Sequence, residues 1–266
     1  MKHIEISRYL SSFGDISHLP RRTLLTEMDK VWRDLKLDNK IPVSLQLNAA
    51  SKFYSHPVWV LNGIFSQLDK NSLAHRVAIA NLINKLDITS VADYGGGSGA
   101  LARLISEISQ VNVDIIEPYP FQFFTEQLDD FHKITIKSVL GSNYDAIIAQ
   151  DVLEHLDNPL EVALDMVKAT RMNGYIVFAN CFYPDIHCHL PSTFYLRYTF
   201  PFLMTYFGLK YVQRVPGASH ALLFQRVRLP KLKTFKAAVR FASLLGPILN
   251  QVLGAAAYAK RMLVSP

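Results

Sequence analysis

The chain has 266 residues, of which 50% are hydrophobic, and its formal net charge is +6. This length can bury a core unaided, and two cysteines make no disulfide framework, so a small disulfide-stapled secreted domain is excluded and we expect a cytoplasmic protein. Because the basic residues are scattered and no RNA-binding signature occurs, nucleic acid is not expected as a partner.

Residues 1–85 are predicted to be helical. Apolar residues recur at helical spacing in "RRTLLTEMDKVWRDL" and again in "SLAHRVAIANLINKL". Between these two segments lies "SKFYSHPVWVLNGIF", which is aromatic and contains a proline. We therefore treat residues 1–85 as a separate N-terminal helical region.

Residues 86–228 have a different rhythm, in which short β-rich runs alternate with helical ones. This alternation predicts crossover units and a parallel sheet, closed by a hairpin of "KYVQRV" and "HALLFQRV". One helix is predicted to begin at an Asn158 cap, with Pro159 in its first turn, and to end at Asn173-Gly174. A later helix in "FYLRYTFPFLMTYFGL" is predicted to be interrupted at Pro201.

Residues 229–266 form an apolar C-terminal extension. Its segment "FASLLGPILNQVLGAAAYA" has no charge, but it carries Gly-Pro and Asn-Gln near its middle. That composition predicts a packed or interfacial helix pair rather than a membrane-spanning helix. The extension could pack on the domain, pair two subunits in a homodimer or make a peripheral membrane contact, and its sequence leaves these three open.

The stretch "VADYGGGSGALARLI" places four glycines within five positions, between a predicted strand and a predicted helix. Such a turn lets bare backbone approach a ligand at a helix N-terminus. Two cofactor classes fit it. Gly95, Gly97 and Ala100, with Glu117 as a later ribose-binding acid, match a dinucleotide fingerprint. Asp93, Gly95, Gly97 and Gly99 match a loop for S-adenosylmethionine.

Asp93 favours the second class. A carboxylate beside the loop would repel a pyrophosphate but attract the ammonium and sulfonium of S-adenosylmethionine. Opposite charges about 4 Å apart gain about 4 kcal/mol at an effective dielectric of about 20, before desolvation. We therefore expect a cationic cofactor at this loop.

Three segments in order, "VADYGGGSG", "DIIEP" and "YDAIIAQDVLEHLDNP", carry a family resemblance. Over about residues 75–228 the chain resembles the class I S-adenosylmethionine-dependent methyltransferases, in particular the small-molecule group with a D-V-L-E-H-L motif. The resemblance implies an α/β, Rossmann-like sheet of seven mostly parallel strands with the last one antiparallel. To this fold the chain would add its N-terminal helices and its C-terminal helical extension.

The resemblance also assigns site residues for S-adenosyl-L-methionine. The methionine part would be held at the glycine loop and the ribose at the end of the second strand, while two residues after the fourth strand would lie near the sulfonium. In that order these residues are Asp93, Tyr94, Gly95, Gly97 and Gly99, then Glu117, then Gln150 and Asp151. For the adenine, "ITIKSVLGS" offers only Ser138 and Ser142.

The implied activity is methyl transfer to a small organic acceptor, preferentially an oxygen, with a histidine as general base. His155, His187 and His189 are the candidates, and all three are expected to reach the crevice at the carboxyl edge of the sheet. N- or C-methylation, an NAD-linked oxidoreductase and a non-catalytic cofactor-binding subunit are the alternatives. No metal is expected; metal-assisted O-methylation would instead use Asp151, Glu154, His155 and His189.

The substrate side of the site is expected to be aromatic. In this family the helices before the first strand commonly cover the cofactor, and "FYSHPVW" is the best candidate for that role. Tyr54, His56 and Tyr183 combine apolar bodies with polar tips, which suits a pocket wall. The acceptor is therefore expected to be ringed or apolar.

Overall fold

A computed structural model describes the backbone of residues 3–264 and the side chains of residues 4–254. Five α-helices precede the first strand, seven strands with intervening helices follow, and a long helix lies at the C-terminal end. The helices are α1 (His3–Ser11), α2 (Arg21–Asp34), α3 (Leu47–Tyr54), α4 (Val58–Leu68), α5 (Lys70–Asn84), α6 (Ala100–Ile108), α7 (Gln122–Thr125), α8 (Pro159–Ala169), α9 (Leu196–Tyr206) and α10 (Phe235–Val264). The strands are β1 (Ser90–Tyr94), β2 (Asn112–Ile116), β3 (Ile134–Lys137), β4 (Tyr144–Gln150), β5 (Thr170–Ala179), β6 (Leu209–Val215) and β7 (Ala218–Arg226).

The seven strands form one sheet in the order β3-β2-β1-β4-β5-β7-β6. Strands β1 to β5 are parallel to their neighbours, and β7 runs antiparallel between β5 and β6. This confirms the predicted Rossmann-like sheet with its antiparallel last strand. Since the parallel strands end at one edge, the loops that follow them are brought together there.

Apolar side chains cover both faces of the sheet. On one face, Met166 of α8, Phe200 of α9 and Ala242 of α10 belong to the same buried cluster as Ile147 of β4. On the other face, helices α5 and α6 pack through a second cluster. Near-continuous burial along β4 is what a parallel strand covered by helices on both faces requires. The sheet is therefore a rigid base for its loop edge.

The N-terminal helices have an apolar cluster of their own, centred on Trp32 and Phe53, whose rings meet edge to face at 5.0 Å. Cys188, from the segment after β5, is buried in this cluster. The N-terminal layer is thus packed against a loop of the sheet domain.

Helix α8 ends earlier than predicted. It stops at Ala169, and Asn173 and Gly174 lie inside β5, where the pairing with β4 shifts register. Asn173 adopts a φ of +62°, and a Cβ on Gly174 would lie 2.8 Å from the carbonyl oxygen of Asp145. The two residues therefore form a bulge rather than a helix cap. At the start of the helix, Asn158 makes no side-chain capping bond, although Pro159 occupies the first turn as predicted.

The two predicted proline breaks are also corrected. Helix α9 continues through Pro201, and α10 is one helix that continues through Pro247 rather than a helix pair. Gly246 lets α10 approach closely, since a Cβ there would lie 2.4 Å from the carbonyl oxygen of Tyr195. Among the described residues, Phe235–Gly254 is the one helical segment long and apolar enough to cross a membrane.

Candidate active site

A cavity of about 1160 Å³ lies at the carboxyl ends of the first five strands. Its wall combines the glycine loop, the loops after β2 to β5, and residues of α2, α4 and α5. Single-ligand pockets are typically about 300–1,000 Å³, so this cavity has room for a cofactor and a small acceptor together.

The glycine loop forms part of this wall through Gly95, Gly96 and Gly97. Gly95 and Gly97 have φ values of +68° and +51°, and Gly99 reaches +69° directly before α6. These left-handed conformations disfavour any residue with a Cβ. A Cβ on Gly97 would come no closer than 3.9 Å to the atoms around it, whereas one on Gly95 would lie 2.6 Å from a Val152 methyl. Position 97 therefore faces open space, as a ligand-binding turn requires.

Asp93 does not face the cavity, which corrects the expectation that it meets a cationic ligand there. Its side chain is 3% exposed and lies beneath the loop, where a Cβ on Gly96 would be 2.7 Å from its Oδ2. That oxygen has no hydrogen-bond partner among the described residues. Burial raises the pKa of Asp93 to about 7, against the opposing charge of Arg76. The carboxyl group thus supports the loop from below.

Arg76 of α5 is the cation that sequence reasoning missed. It lines the cavity, and its guanidinium donates to the carbonyl oxygen of Ser72 at 3.1 Å. Burial lowers its pKa, while the charges of Asp151 and Asp93 raise it. Nothing in "SLAHRVAIANLINKL" distinguished this arginine, because the packing of α5 against the sheet decides which of its side chains reaches the cavity.

Two further cavity residues, His75 and His220, were also missed. Their rings lie 4.6 Å apart between centroids. His75 lies on α5 and His220 on β7, so 145 positions of sequence separate two groups that share one wall. Only the folded sheet brings them together.

Glu117 follows β2 and lines the cavity, as the ribose assignment requires. Its carboxylate accepts a hydrogen bond from the backbone N–H of Tyr119 at 3.2 Å, and burial raises its pKa. Ser138 and Ser142 line the cavity after β3, and Tyr94 lines it at the end of β1. The expected ribose and adenine positions are therefore adjacent in the wall.

Gln150 and Asp151 lie in the wall at the end of β4, where Gln150 Nε2 donates to Asp151 Oδ2 at 3.3 Å. Gln150 Oε1 is buried and has no partner among the residues that the structure describes. Asp151 has a φ of +54°, which is strained for a residue with a side chain. Such a strained residue beside an unsatisfied acceptor is typical of a ligand-binding position.

His155 and His189 form a pair in the cavity wall, with ring centroids 5.0 Å apart. The Nδ1 of each ring lies at hydrogen-bond distance from a backbone carbonyl, Cys188 O at 3.1 Å and Tyr183 O at 2.9 Å respectively. Because a carbonyl only accepts, the Nδ1 of His189 must carry the proton, which leaves its Nε2 with a lone pair. The His155 ring faces two backbone carbonyls, those of Cys188 and Asp151. Burial lowers both pKa values, that of His155 to about 3, so both rings are neutral at neutral pH.

His187 lies outside the cavity wall, which corrects the expectation that it reaches the crevice. Its ring Nδ1 lies 2.8 Å from the Asp29 carboxylate of α2, and its backbone N–H donates to the same group at 2.7 Å. His56 is also outside the wall. Its Nδ1 accepts from the N–H of Val58 at 3.1 Å, and its ring meets Tyr9 edge to face. Both rings are used in packing the N-terminal layer.

Several polar contacts fasten this layer to the loops after β4 and β5. Besides His187–Asp29, the Asp157 carboxylate accepts from the N–H groups of Val43 and Ser44 at 2.7 and 2.8 Å. Arg21 pairs with Asp185, four residues before His189. The layer and these loops are therefore tied at separate points around the cavity.

The expected aromatic wall is present in part. Tyr54, Trp59 and Tyr183 line the cavity, and the guanidinium of Arg197 lies 4.8 Å from the centre of the Tyr183 ring. The hydroxyl of Tyr54 and the indole N–H of Trp59 are buried without partners among the described residues. The aromatic part of the cavity wall therefore carries two polar groups with which a ligand could form hydrogen bonds.

A metal-ligand set also differs from the expected one. Among the described side chains, one group could hold a metal ion: Glu154, Cys181 and His189, whose ligand atoms all lie within 4.8 Å of one another. Asp151 and His155 are not part of it. Glu154 is fully buried; Oε1 accepts from the N–H of Cys181 at 2.8 Å, and burial with the nearby charge of Asp151 raises its pKa to about 8. Cys181 was missed because its distance from Glu154 in the sequence hides their contact.

The sequence model of a family described as "Methyltransferase domain" matches residues 63–227, more than half of the chain. No curated protein sequence matches it. Among solved structures, mitomycin 7-O-methyltransferase MmcR is similar with a TM-score of 0.50 and 14% identity, over 67% of this chain and 60% of that one. This likeness concerns the fold.

Two other solved structures are similar at lower scores. A putative O-methyltransferase from Nostoc punctiforme has a TM-score of 0.49 and 13% identity, over 65% of this chain and 61% of that one. A Burkholderia thailandensis 1,6-didemethyltoxoflavin-N1-methyltransferase, solved with bound 1,6-didemethyltoxoflavin and S-adenosylhomocysteine, has a TM-score of 0.45 and 14% identity, over 59% of this chain and 78% of that one. The chain thus spans less than two thirds of the length of MmcR and of the Nostoc protein.

Proposed function

The chain belongs to the methyltransferase domain family and uses S-adenosylmethionine, and from that premise we propose that it methylates an oxygen of a small, ringed or apolar organic acceptor. The observation that carries the proposal is the pair of neutral rings, His155 and His189, in a wall shared with the cofactor loop. An oxygen nucleophile needs a group that takes its proton, whereas positioning alone suffices for many other acceptors.

The residues present fit the cofactor. Its sulfonium supplies an activated methyl group for in-line transfer. The Glu117 carboxylate suits the two ribose hydroxyls, and the unsatisfied Gln150 Oε1 offers an acceptor near the loop. Arg76 is suited to a carboxylate and Asp151 to an ammonium, because each presents the opposite charge to the cavity. The open space at Gly97 admits the ligand against bare backbone.

Of the two histidines, we assign His189 as the general base and His155 as its neighbour. A ring with a pKa near 3 is a weak proton acceptor at neutral pH, which counts against His155. The Tyr183 carbonyl fixes the His189 tautomer so that Nε2 can receive a proton. His155, held by the Cys188 carbonyl, orients the His189 ring by an edge-to-face contact.

The acceptor would lie between these rings and the N-terminal layer. Tyr54 and Trp59 provide flat apolar surface with one unsatisfied polar atom each, and Leu24 and Met28 of α2 line the same cavity. Such a wall favours a ringed or apolar molecule that carries a few hydrogen-bonding groups.

Two experiments test the proposal. Isothermal titration with S-adenosylhomocysteine and with NAD should show binding of the first alone. Transfer of a labelled methyl group should then be measured across a panel of small phenols, alcohols, amines and activated carbon acids. Labelling of hydroxyl acceptors that is lost in His189→Gln, with S-adenosylhomocysteine affinity kept, supports the proposal. Labelling confined to amines or carbon acids, the N- and C-methylation alternatives, overturns it.

Metal-assisted methylation is a second candidate, favoured by the Glu154, Cys181 and His189 group. A carboxylate, a thiol and an imidazole suit zinc, and a fourth position would be open to an acceptor oxygen. His189 already donates its other ring N–H to a carbonyl, which is the usual outer contact of a metal-bound histidine. Loss of labelling after chelator treatment, restored by zinc, would select this candidate, and chelator-insensitive labelling would reject it.

A further inference from the structure

We propose that α10 docks the protein on the surface of a membrane that contains anionic lipids, with the helix lying along the interface rather than crossing it. The first observation is the distribution of charge. Residues 229–266 contain six Lys or Arg and no Asp or Glu, while the whole chain has 28 basic and 22 acidic residues. The other 228 residues therefore carry 22 of each sign, so the C-terminal extension holds the entire formal net charge of +6.

The second observation is an exposed apolar stripe on α10. Phe241, Leu244, Ile248 and Val252 are 57%, 74%, 57% and 61% exposed. They are spaced by three or four positions and therefore share one face of the helix. We call these four residues the outer stripe. Four large apolar side chains in a row on the surface of one helix indicate a surface that something covers.

The opposite face of α10 is fastened to the domain, which fixes the orientation of the helix. Ala238 and Ala242 are buried against the rest of the protein, and Gly246 lies against the backbone of Tyr195. Asn250 Nδ2 donates to the carbonyl oxygen of Phe194 at 2.9 Å. A helix held along one face cannot be surrounded by lipid, so it meets a bilayer only with its outer stripe, as an interfacial helix does.

The basic residues near the outer stripe indicate that its binding partner is an anionic lipid surface. Lys231, Lys233, Lys236 and Arg240 are exposed before and within the first turns of α10. Anionic headgroups attract such a basic cluster, and apolar side chains of the outer stripe can enter the acyl boundary beside them. A second copy of the chain would instead bring two uniformly positive segments together, which is unfavourable. An anionic lipid surface therefore matches both the basic cluster and the apolar outer stripe of α10.

The test is co-sedimentation of the full chain with vesicles of phosphatidylcholine alone and with vesicles that also contain phosphatidylglycerol. We expect binding to the anionic vesicles, weakened by added salt. Leu244→Glu/Ile248→Glu should reduce it at least about tenfold, since charged groups replace two adjacent apolar contacts at the centre of the outer stripe. Lys233→Gln/Lys236→Gln/Arg240→Gln should remove the preference for phosphatidylglycerol. The matched control is Leu45→Glu/Leu47→Glu, which changes two leucines of similar exposure, 76% and 67%, in the N-terminal layer.

Unchanged thermal midpoints and S-adenosylhomocysteine affinity would show that the variants are folded. Equal loss of vesicle binding in the control and outer-stripe variants would overturn the proposal, as would failure of the unaltered chain to sediment with anionic vesicles. Light scattering on the same samples gives a further way to refute it. A dimer in solution that Leu244→Glu/Ile248→Glu dissociates, without any vesicle binding, would assign the outer stripe to self-association.

Discussion

Replacing Asp93 by Asn should change how the stability of the ligand-free protein depends on pH. Asp93 lies beneath the glycine loop, and burial raises its pKa from 3.8 to about 7. The native protein therefore keeps a proton on this group over a pH range in which the unfolded chain has lost it. Because the native state then binds more protons than the unfolded state, stability falls as pH rises from about 4 to about 7.

The size of this effect follows from the shifted pKa. Between about pH 5 and about pH 8 the buried carboxyl group should cost about 3 kcal/mol of unfolding free energy. Asn has nearly the same shape and stays neutral, so Asp93→Asn should lose that part of the pH dependence. The variant should consequently gain about 3 kcal/mol relative to the unaltered protein on going from the lower to the higher pH.

Urea unfolding followed by circular dichroism at the two pH values measures this difference. Asp130→Asn is the matched control, because it removes the same charge from an exposed position. It should leave the pH dependence of the unfolding free energy unchanged. If Asp93→Asn and the unaltered protein lose the same stability between the two pH values, then the carboxyl group is not held neutral beneath the loop and the reasoning fails.

Three further predictions concern the loop, the base and the C-terminal helix. Gly97→Ala should weaken S-adenosylhomocysteine binding at least about tenfold, and it should lower the unfolding free energy by about 1–2 kcal/mol because the backbone is left-handed. The control is Gly14→Ala, at a φ of +66° in equally open surroundings. It should cost the same stability and leave the affinity for S-adenosylhomocysteine, measured by calorimetry, unchanged. His189→Gln should lower the turnover number about 10²–10⁴-fold, whereas the same change at His187, outside the cavity, should leave turnover within about threefold; equal losses would remove His189 from the role of base. Gly246→Val should loosen the packing of α10 on the domain, because the new Cβ would lie 2.4 Å from a backbone carbonyl oxygen. Limited proteolysis should then cleave the variant faster near residue 230. The control is Gly254→Val, where no atom lies within 4 Å, and equal cleavage rates of the two variants would contradict the prediction.

The sheet and the cofactor loop could be predicted from sequence because their signals are local. Gly95 and Gly97 adopt a left-handed backbone conformation that other residues avoid, and the run that forms β4 has a continuous apolar centre from Ala146 to Ala149. The glycine loop and the apolar strand are each determined by a few consecutive residues.

The remaining parts of the site depend on contacts between distant segments. Arg76 reaches the cavity only because α5 packs in a particular rotation, and Cys181 meets Glu154 only because two loops end at the same edge. His187 carried the same local signal as His189, yet Asp29 of α2 draws it to the other side of its loop. The orientation of Asp93 was missed for a related reason: the direction of its side chain, beneath the loop rather than into the cavity, is set by packing.

The contacts between α2 and the loop after β5 have a mechanical consequence. Arg21 and Asp29 hold residues of the same short segment that carries His189 and that is anchored by Cys188 in the N-terminal core. An outward displacement of α2 would therefore displace this segment as well, and with it the ring that we propose as the base. The N-terminal layer and the position of the proposed base are thus coupled through these three attachment points.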